Sequence, residues 1–511
     1  MAPGRGLLLL ASLLCVAVNA QNLTFPPVPP PTPGMGGSNL TANPFPAPSG
    51  NGVYLGATLD WDVDSPANLS TRLGVPLLTY SIFLKFPLTD IDKTFLNKTV
   101  KTEPYPSLGA DGQTKPSIMV TLEPSSIEAL SDATFDDPTV LGDVVDMVRD
   151  LNAKGLYVLL RFGHEMNGWW YAWCMRPIQY KKTFRRVGTA VKSCAECSAT
   201  AMLWAPQIAI SYPWGLDIPL NDTTFFTRNP DYANLNLTEL QTLDTNGDGK
   251  ISLGDEPYAP YYPGDDIVDW VGISIYFNGK DFYGQNSLPT PNTFLDNIRG
   301  IDVTSGTLTA PDFYQIYSVQ KGKPFALAET SANWNAQYAA ANPNSTTMLQ
   351  MKQAWWRETL SDRILDAMPN YRASFTFEFR KMGEDIKTVT FDYGYTTTPE
   401  VAAAFLADLP KRFLLSNGTF TSLNLRQLPP AIGGSSFLVS SPASTSQAAR
   451  TVTGAATQAP AQSTATASAA APGTAGTLKG GAGFSQSVAN SWVASVVLGV
   501  LGSVAVFAVT S

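Results

Sequence analysis

The sequence predicts a (β/α)8 TIM barrel, and three observations carry that prediction. Eight short apolar runs rich in β-formers recur between residues 50 and 425, and segments with helical periodicity separate several of them. The roughly 375 residues involved are more than one small core needs and suit one large α/β barrel.

In chain order the runs are "VYLGATLD" from 53, "LLTYSIFLKF" from 77, "PSIMVTLE" from 116, "GLYVLLRFG" from 155, "ATAMLWAP" from 199, "IVDWVGISIY" from 267, "KPFALAE" from 323 and "YRASFTFEF" from 371. Amphipathic candidates lie between them. "PTVLGDVVDMVRDLNAKG" precedes the fourth run, "YKKTFRRVGTAVK" follows it, and "TTMLQMKQAWWRETLSDRILDAM" follows the seventh. "TPEVAAAFLADL" opens with Thr398 as N-cap and Pro399 at the first helical position, the order a helix start favours.

In such a barrel, catalytic groups sit at the C-terminal ends of the strands. Glu165 lies just past the fourth run, in "RFGHEMNGWWYAWC", against His164, the one histidine of the 511 residues. Glu329 ends the seventh run, in "FALAETSANW". Both would project into the same mouth. Two carboxylates flanking a bond are the machinery of glycoside hydrolysis, one protonated and one ionised. His164 could hydrogen-bond a sugar or orient its neighbour.

Plainer readings exist for each piece. His164 and Glu165 could form a structural polar pair, and Glu329, Thr330 and Ser331 are all helix-start residues. What lifts the pair is its position and the aromatics around it: Trp169, Trp170, Tyr171, Trp173, then Trp204, Tyr276 and Trp334 after the fifth, sixth and seventh strands. Pyranose rings stack on such platforms, although the core can claim a share of them. A zinc-protease reading of "HE" fails, because Gly168 stands where the second histidine belongs.

"LLRFGHEMNGWWYAW", "MLWAP", "YYPGDDIVDWVGISIY" and "KPFALAET" together resemble glycoside hydrolase family 26, in the family's order and over roughly residues 50 to 410. The resemblance is to a fungal-type, secreted, anchored member, β-mannanase-like. It implies a (β/α)8 fold, retaining chemistry, Glu165 as acid/base and Glu329 as nucleophile. It also implies His164 and Asn167 as active-site neighbours, Trp170 as a sugar platform and Tyr276 as the hydroxyl that positions the nucleophile; Trp204 and Trp334 join the substrate-binding candidates. No cofactor is required. "RFG" replaces the Arg-Pro pair usual in the mannanases, and their earlier strand-end histidine has no counterpart, so β-glucan and β-xylan stay open beside β-mannan.

Retention predicts carboxyls about 5 to 5.5 Å apart and a raised pKa on the acid. Two other functions stay open: a non-catalytic carbohydrate-binding or wall-structural protein, and a cell-wall transglycosylase, in which a sugar hydroxyl intercepts the intermediate.

"DTNGDGKISLGDE" places Asp244, Asn246, Asp248, the Lys250 carbonyl and Asp255 at the first, third, fifth, seventh and twelfth positions of an EF-hand loop, with Gly249 at the sixth. A structural Ca2+ would brace this segment. The alternative is an acidic, turn-rich surface loop, since Asp replaces the usual glutamate at the twelfth position and flanking helices are unclear.

The ends indicate where the protein works. Residues 1–20 read as a signal peptide. Residues 21–49 are a Pro/Gly-rich lead-in, 434–483 a Ser/Thr/Ala-rich stalk, and 484–511 a glycosylphosphatidylinositol (GPI) attachment propeptide ending in a hydrophobic tail, with Gly481 the expected anchored residue. These imply a secreted, cell-surface monomer whose membrane link is the GPI anchor. A net charge of -8 without basic clusters argues against nucleic acid; the partner implied by the family resemblance is a polysaccharide. Eight sequons, at Asn22, Asn39, Asn68, Asn97, Asn221, Asn236, Asn344 and Asn417, suit a secreted surface. Of Cys174, Cys194 and Cys197, two should pair, and the favoured staple joins Cys174 to either partner across a loop of about twenty residues.

Overall fold

The computed structural model describes residues 45, 47–48, 51–222, 236–280, 284–382 and 389–416. The signal peptide, most of the lead-in, the stalk, the tail and the sequons Asn22, Asn39 and Asn417 lie outside the described residues. Of residues 381–388 and 432–511, which form a separate unit, only Lys381 and Met382 are described.

Eight parallel strands close into a barrel: β1 (Val53–Leu59), β2 (Thr79–Phe86), β3 (Ser117–Pro124), β4 (Tyr157–Phe162), β5 (Thr200–Trp204), β6 (Trp270–Phe277), β7 (Phe325–Ala332) and β8 (Tyr371–Glu378). Closure is the parallel pairing of β1 with β8, Tyr54 opposite Ala373 through Leu59 opposite Glu378. A helix follows every strand: α1 (Pro66–Leu73), α2 (Asp90–Phe95), α3 (Thr139–Ala153), α4 (Pro177–Lys192), α5 (Leu237–Gln241), α6 (Thr293–Ile298), α7 (Met348–Thr359) and α8 (Pro399–Asp408). The architecture is a (β/α)8 barrel, as the eight apolar runs predict.

Local chemistry explains the boundaries. Thr347 caps α7 through a reciprocal box with Gln350. Thr398 Oγ1 accepts from the Val401 amide at 3.2 Å, with Pro399 in the first turn where its missing N–H is harmless. The predicted helix from 346 to 368 breaks after Thr359, and a short helix resumes at Asp362.

Side chains alternate between two layers. On β4, Val158, Leu160 and Phe162 join the core under the helices, while Leu159 joins an inner cluster with Tyr54, Met119, Leu203, Trp270 and Phe375. This parity puts Arg161 inside the barrel. The floor is closed by Phe45, whose ring meets Tyr54, Tyr157 and Trp270 at 5.2, 5.8 and 5.2 Å, and whose carbonyl accepts from Trp270 Nε1 at 3.1 Å. Phe45 lies upstream of the domain start expected at residue 50, so the lead-in contributes a core residue.

Two expectations need correction. The disulfide joins Cys194 to Cys197, and Cys174 is a buried free thiol. Cys174 sits under the β4 turn, its Sγ 3.4 Å from the Glu165 carbonyl, whereas the other two cysteines lie beyond the far end of α4. The Asn68 sequon falls on α1, where its side chain is buried and closed to a glycan.

Candidate active site

The turn after β4 is built to present one carboxyl. Gly163 and Glu165 both take left-handed backbones, φ 52° and 53°. For a residue with a Cβ, this conformation is strained by roughly 1–3 kcal/mol and persists only where its surroundings impose it. Here the Glu165 amide donates to the Ala205 carbonyl at 3.0 Å, tying the turn to β5. A Cβ on Gly168 would sit 2.6 Å from the Trp170 ring, so the glycine lets that indole fold back over the turn. Trp170 Nε1 then donates to Glu165 Oε2 at 2.9 Å; with the Gln207 amide turned to match its neighbours, an orientation assigned from those neighbours, its nitrogen donates to Oε1 at 3.0 Å and to the Ser274 carbonyl at 3.2 Å. Burial, followed by the charge of Glu329, raises the Glu165 carboxyl to about 7, despite the Trp170 hydrogen bond and the charge of Arg161.

Glu329 reaches the same space by a bulge. Leu327 pairs with Ile273 and Glu329 with Ser274, so β7 carries one extra residue against β6. Ala326 and Ala328 belong to the inner cluster and Leu327 to the outer core. Strict alternation would aim Glu329 outward with Leu327; the extra residue turns it inward, and Thr330 then faces α7, accepting from Trp355 Nε1 at 3.0 Å. Inside, Arg161 Nη2 donates to Glu329 Oε1 in a buried ion pair, while Tyr276 Oη donates to Oε2 at 2.6 Å. Arg161 is itself held by Thr121 Oγ1 at 2.9 Å and lies over the Phe83 ring. Burial, then Glu329, keeps the Tyr276 hydroxyl well above its ordinary pKa, so it remains a donor. The two carboxyls are thus inequivalent: Glu165 is biased toward its protonated form, and Glu329 is gripped by a guanidinium and a phenol.

A third carboxylate at a strand end, Glu378 on β8, is occupied. It accepts from the amides of Tyr395 and Thr396 at 2.9 and 3.1 Å, and from the hydroxyls of Thr396 and Thr376 at 2.7 and 3.2 Å. It anchors the loop after β8.

The other predicted residues divide. His164 is buried among Phe83, Tyr171 and Trp173, with centroids at 5.5, 4.7 and 5.4 Å. Asn167 is buried with both ends of its amide on the Gln207 backbone, at 2.9 Å each, so it orients the Gln207 loop. Trp334, half-buried, follows β7 in a two-residue strand paired to Asp392. Trp204 is corrected: it occupies the outward parity of β5, fully buried against Phe313, Tyr317 and Tyr262 under the helices, and faces away from the mouth.

The 244–256 loop closes on its own backbone. Asp244 accepts from the Asp248 and Gly249 amides at 3.0 Å each, and Asp255 from Thr245 and Ser252 at 2.8 Å each. Asn246 and Asp248 accept from Asp248 and Lys250 at 2.9 and 3.1 Å. Lys250 and Ile251 pair with Pro219 and Ile218. Among the described residues, no group of three or more His, Cys, Asp or Glu side chains is arranged to hold a metal ion.

Sequence reasoning passed over Arg161 and Gln207. Arg161 carried a signal, a lone charge in an apolar strand at the inward parity of Leu159. Gln207 carried none, because only the fold returns the β5 loop to Glu165.

The model of glycosyl hydrolase family 26 matches residues 136–210, a stretch that contains Arg161, Glu165, Trp170 and Gln207. Among solved structures, the chain is similar to a modular endo-β-1,4-mannanase from Cellulomonas fimi (11% identity, TM-score 0.40, 71% of this chain and 72% of that one). It is also similar to a mannanase from Bacillus subtilis (14%, 0.37, 76% and 92%) and to a β-(1,4)-mannanase from Podospora anserina (12%, 0.37, 71% and 62%). No curated protein matches the chain. The fold assignment rests on the closed strand order itself.

Proposed function

We propose that the chain is a retaining glycoside hydrolase of family 26 that cleaves a β-linked polysaccharide, β-mannan first and β-glucan or β-xylan next. The observation that carries this reading is the inequivalence of Glu165 and Glu329 in one barrel mouth. Hydrolysis with retention needs one carboxyl that holds a proton near neutral pH and one that is ionised and aimed. Glu329 attacks the anomeric carbon as Glu165 gives its proton to the leaving oxygen. The ester formed on Glu329 is then displaced by a water whose proton returns to Glu165. Arg161 and Tyr276 hold the nucleophile's oxygens, and Tyr276 follows the charge as it leaves Oε2. The family match over 136–210 supports the chemistry, and the mannanase names of the similar structures support mannan as the first substrate to try. We further propose that the leader, stalk and tail deliver the enzyme to the cell surface on a GPI anchor, with its substrate in or near a wall.

The test is incubation of the domain, residues 44 to 425, with mannans, mixed-linkage and β-1,3-glucans and xylans, beside Glu329→Ala. Released reducing ends, product sizes and the anomer first formed are measured. Turnover with retention that vanishes in the variant is the expected result; products longer than the substrate identify transglycosylation, and binding without turnover moves the protein to the wall-binding class.

A further inference from the structure

Between β5 and β6, two non-glycine residues among those described take left-handed backbones, Ser211 at φ 58° and Trp214 at φ 56°. Neither is a glycine, so tertiary contacts must hold both. The contacts come from the far side of β6. Ser211 Oγ donates to Asp302 Oδ2 at 2.9 Å, and the Ser211 amide donates to Thr309 Oγ1 at 3.2 Å. Asp302 lies on a small hairpin, Ile301–Asp302 paired with Thr307–Leu308, and is itself fixed by the Thr304 and Ser305 amides at 2.8 and 3.0 Å. The Trp214 amide closes the turn onto the Ser211 carbonyl at 2.7 Å.

The effect of this clamp is to stand a half-buried indole against Trp170, one ring removed from Glu165. Trp214 meets Trp170 at 5.1 Å between centroids and Tyr212 at 5.4 Å. Trp170 in turn has its N–H on Glu165 Oε2. The contacts therefore run from Glu165 through Trp170 to Trp214, whereas Glu329 is held by Arg161 and Tyr276. In the proposed reaction, the nucleophile faces the sugar that is attacked and the acid faces the oxygen that leaves, so a ring reached through the acid lies on the leaving side. An indole there offers its face to the axial C–H groups of a β-linked pyranose.

We propose that Trp214 is the platform for the leaving-group sugar, with Asp302 a positioning residue that holds it through Ser211. This rests on the glycosidase reading and adds to it where the departing half of the chain binds. A glycosyl fluoride, whose leaving group is one atom, cannot use such a platform; an oligosaccharide of the cleaved polymer can.

Trp214→Ala, Trp214→Phe and Asp302→Ala are compared with wild type on both substrates, with melting temperature as the fold control. The expected result is kcat/KM on the oligosaccharide lowered about tenfold in Trp214→Ala, mostly through KM, with fluoride hydrolysis and melting unchanged. Trp214→Phe should recover most of the loss, and Asp302→Ala should show the same split, smaller. Equal losses on both substrates, or no loss on the oligosaccharide, would overturn the platform. If wild type hydrolyses neither substrate, the glycosidase reading is what fails, and tryptophan fluorescence titration with the same oligosaccharide decides Trp214: binding weakened in Trp214→Ala sustains the platform, and unchanged binding refutes it.

Discussion

Arg161 and Glu329 meet inside the barrel from β4 and β7, the guanidinium fully buried and one Nη donating to one carboxylate oxygen. Removing one member of such a pair leaves the other charged and unsolvated, at a cost of about 3–5 kcal/mol. Arg161→Met should therefore melt several degrees lower and lose roughly two orders of magnitude or more in kcat, since the proposed nucleophile loses its brace. Combining Arg161→Met with Glu329→Gln should restore most of the melting temperature and none of the activity. A single variant that melts like wild type would show that the pair is not an ion pair in solution.

The Glu165 carboxyl, raised from 4.5 to about 7, sets a pH dependence whose sign can be worked out. In the proposed reaction Glu165 must be protonated to assist departure, so kcat/KM should fall as pH rises through about 7. Stability has the same sign. The folded state binds this proton more tightly than the unfolded chain, so stability declines between about 4.5 and 7, by about 3 kcal/mol for this group alone. Glu165→Gln should melt above wild type at pH 8 and level with it at pH 4, while losing the alkaline limb of its residual activity. Parallel melting curves across that range would contradict the raised value.

Phe45 fills the barrel floor between Tyr54, Tyr157 and Trp270. Phe45→Ala should destabilise by about 3–5 kcal/mol, as large-to-small changes in a core do. A chain beginning at residue 50 should melt below one beginning at 44, read by calorimetry, with kcat of the folded protein unchanged because the mouth lies at the opposite end.

The disulfide closes a very short loop, Cys194 to Cys197, so the chain-entropy model gives it no more than about 2 kcal/mol. Cys194→Ala with Cys197→Ala should lower the melting temperature slightly. Cys174, whose thiol is pushed up by burial, should resist alkylation in the native protein and react fully after unfolding. Rapid native labelling of Cys174, followed by mass spectrometry, is the contrary outcome.

Much of this arrangement was legible in the sequence, and the parts that were not share a cause. The eight strands announce themselves because each is a compact apolar run between helical segments. Glu165 and Glu329 were found because strand ends are where a barrel displays its chemistry. Trp204 was misplaced because aromatic density was weighed without counting parity: Met202 and Trp204 share one face of β5, and Leu203 holds the other. The cysteine pairing failed because loop length was weighed without the helix between Cys174 and Cys194, which carries them apart. Asn167 and Gln207 are forty residues apart and bonded to each other, a relation that no local pattern records.

The extra residue in β7 implies that the motif letters and the chemistry they spell are separable. Were residues 325–332 to alternate strictly, with Leu327 and Glu329 on one face, the barrel could still close, yet the glutamate would turn its carboxylate toward the helices and leave Arg161 facing empty space. A relative that kept both glutamates, the histidine and every tryptophan, but ran this strand without the bulge, would be a silent copy, a wall-binding protein in all but its letters.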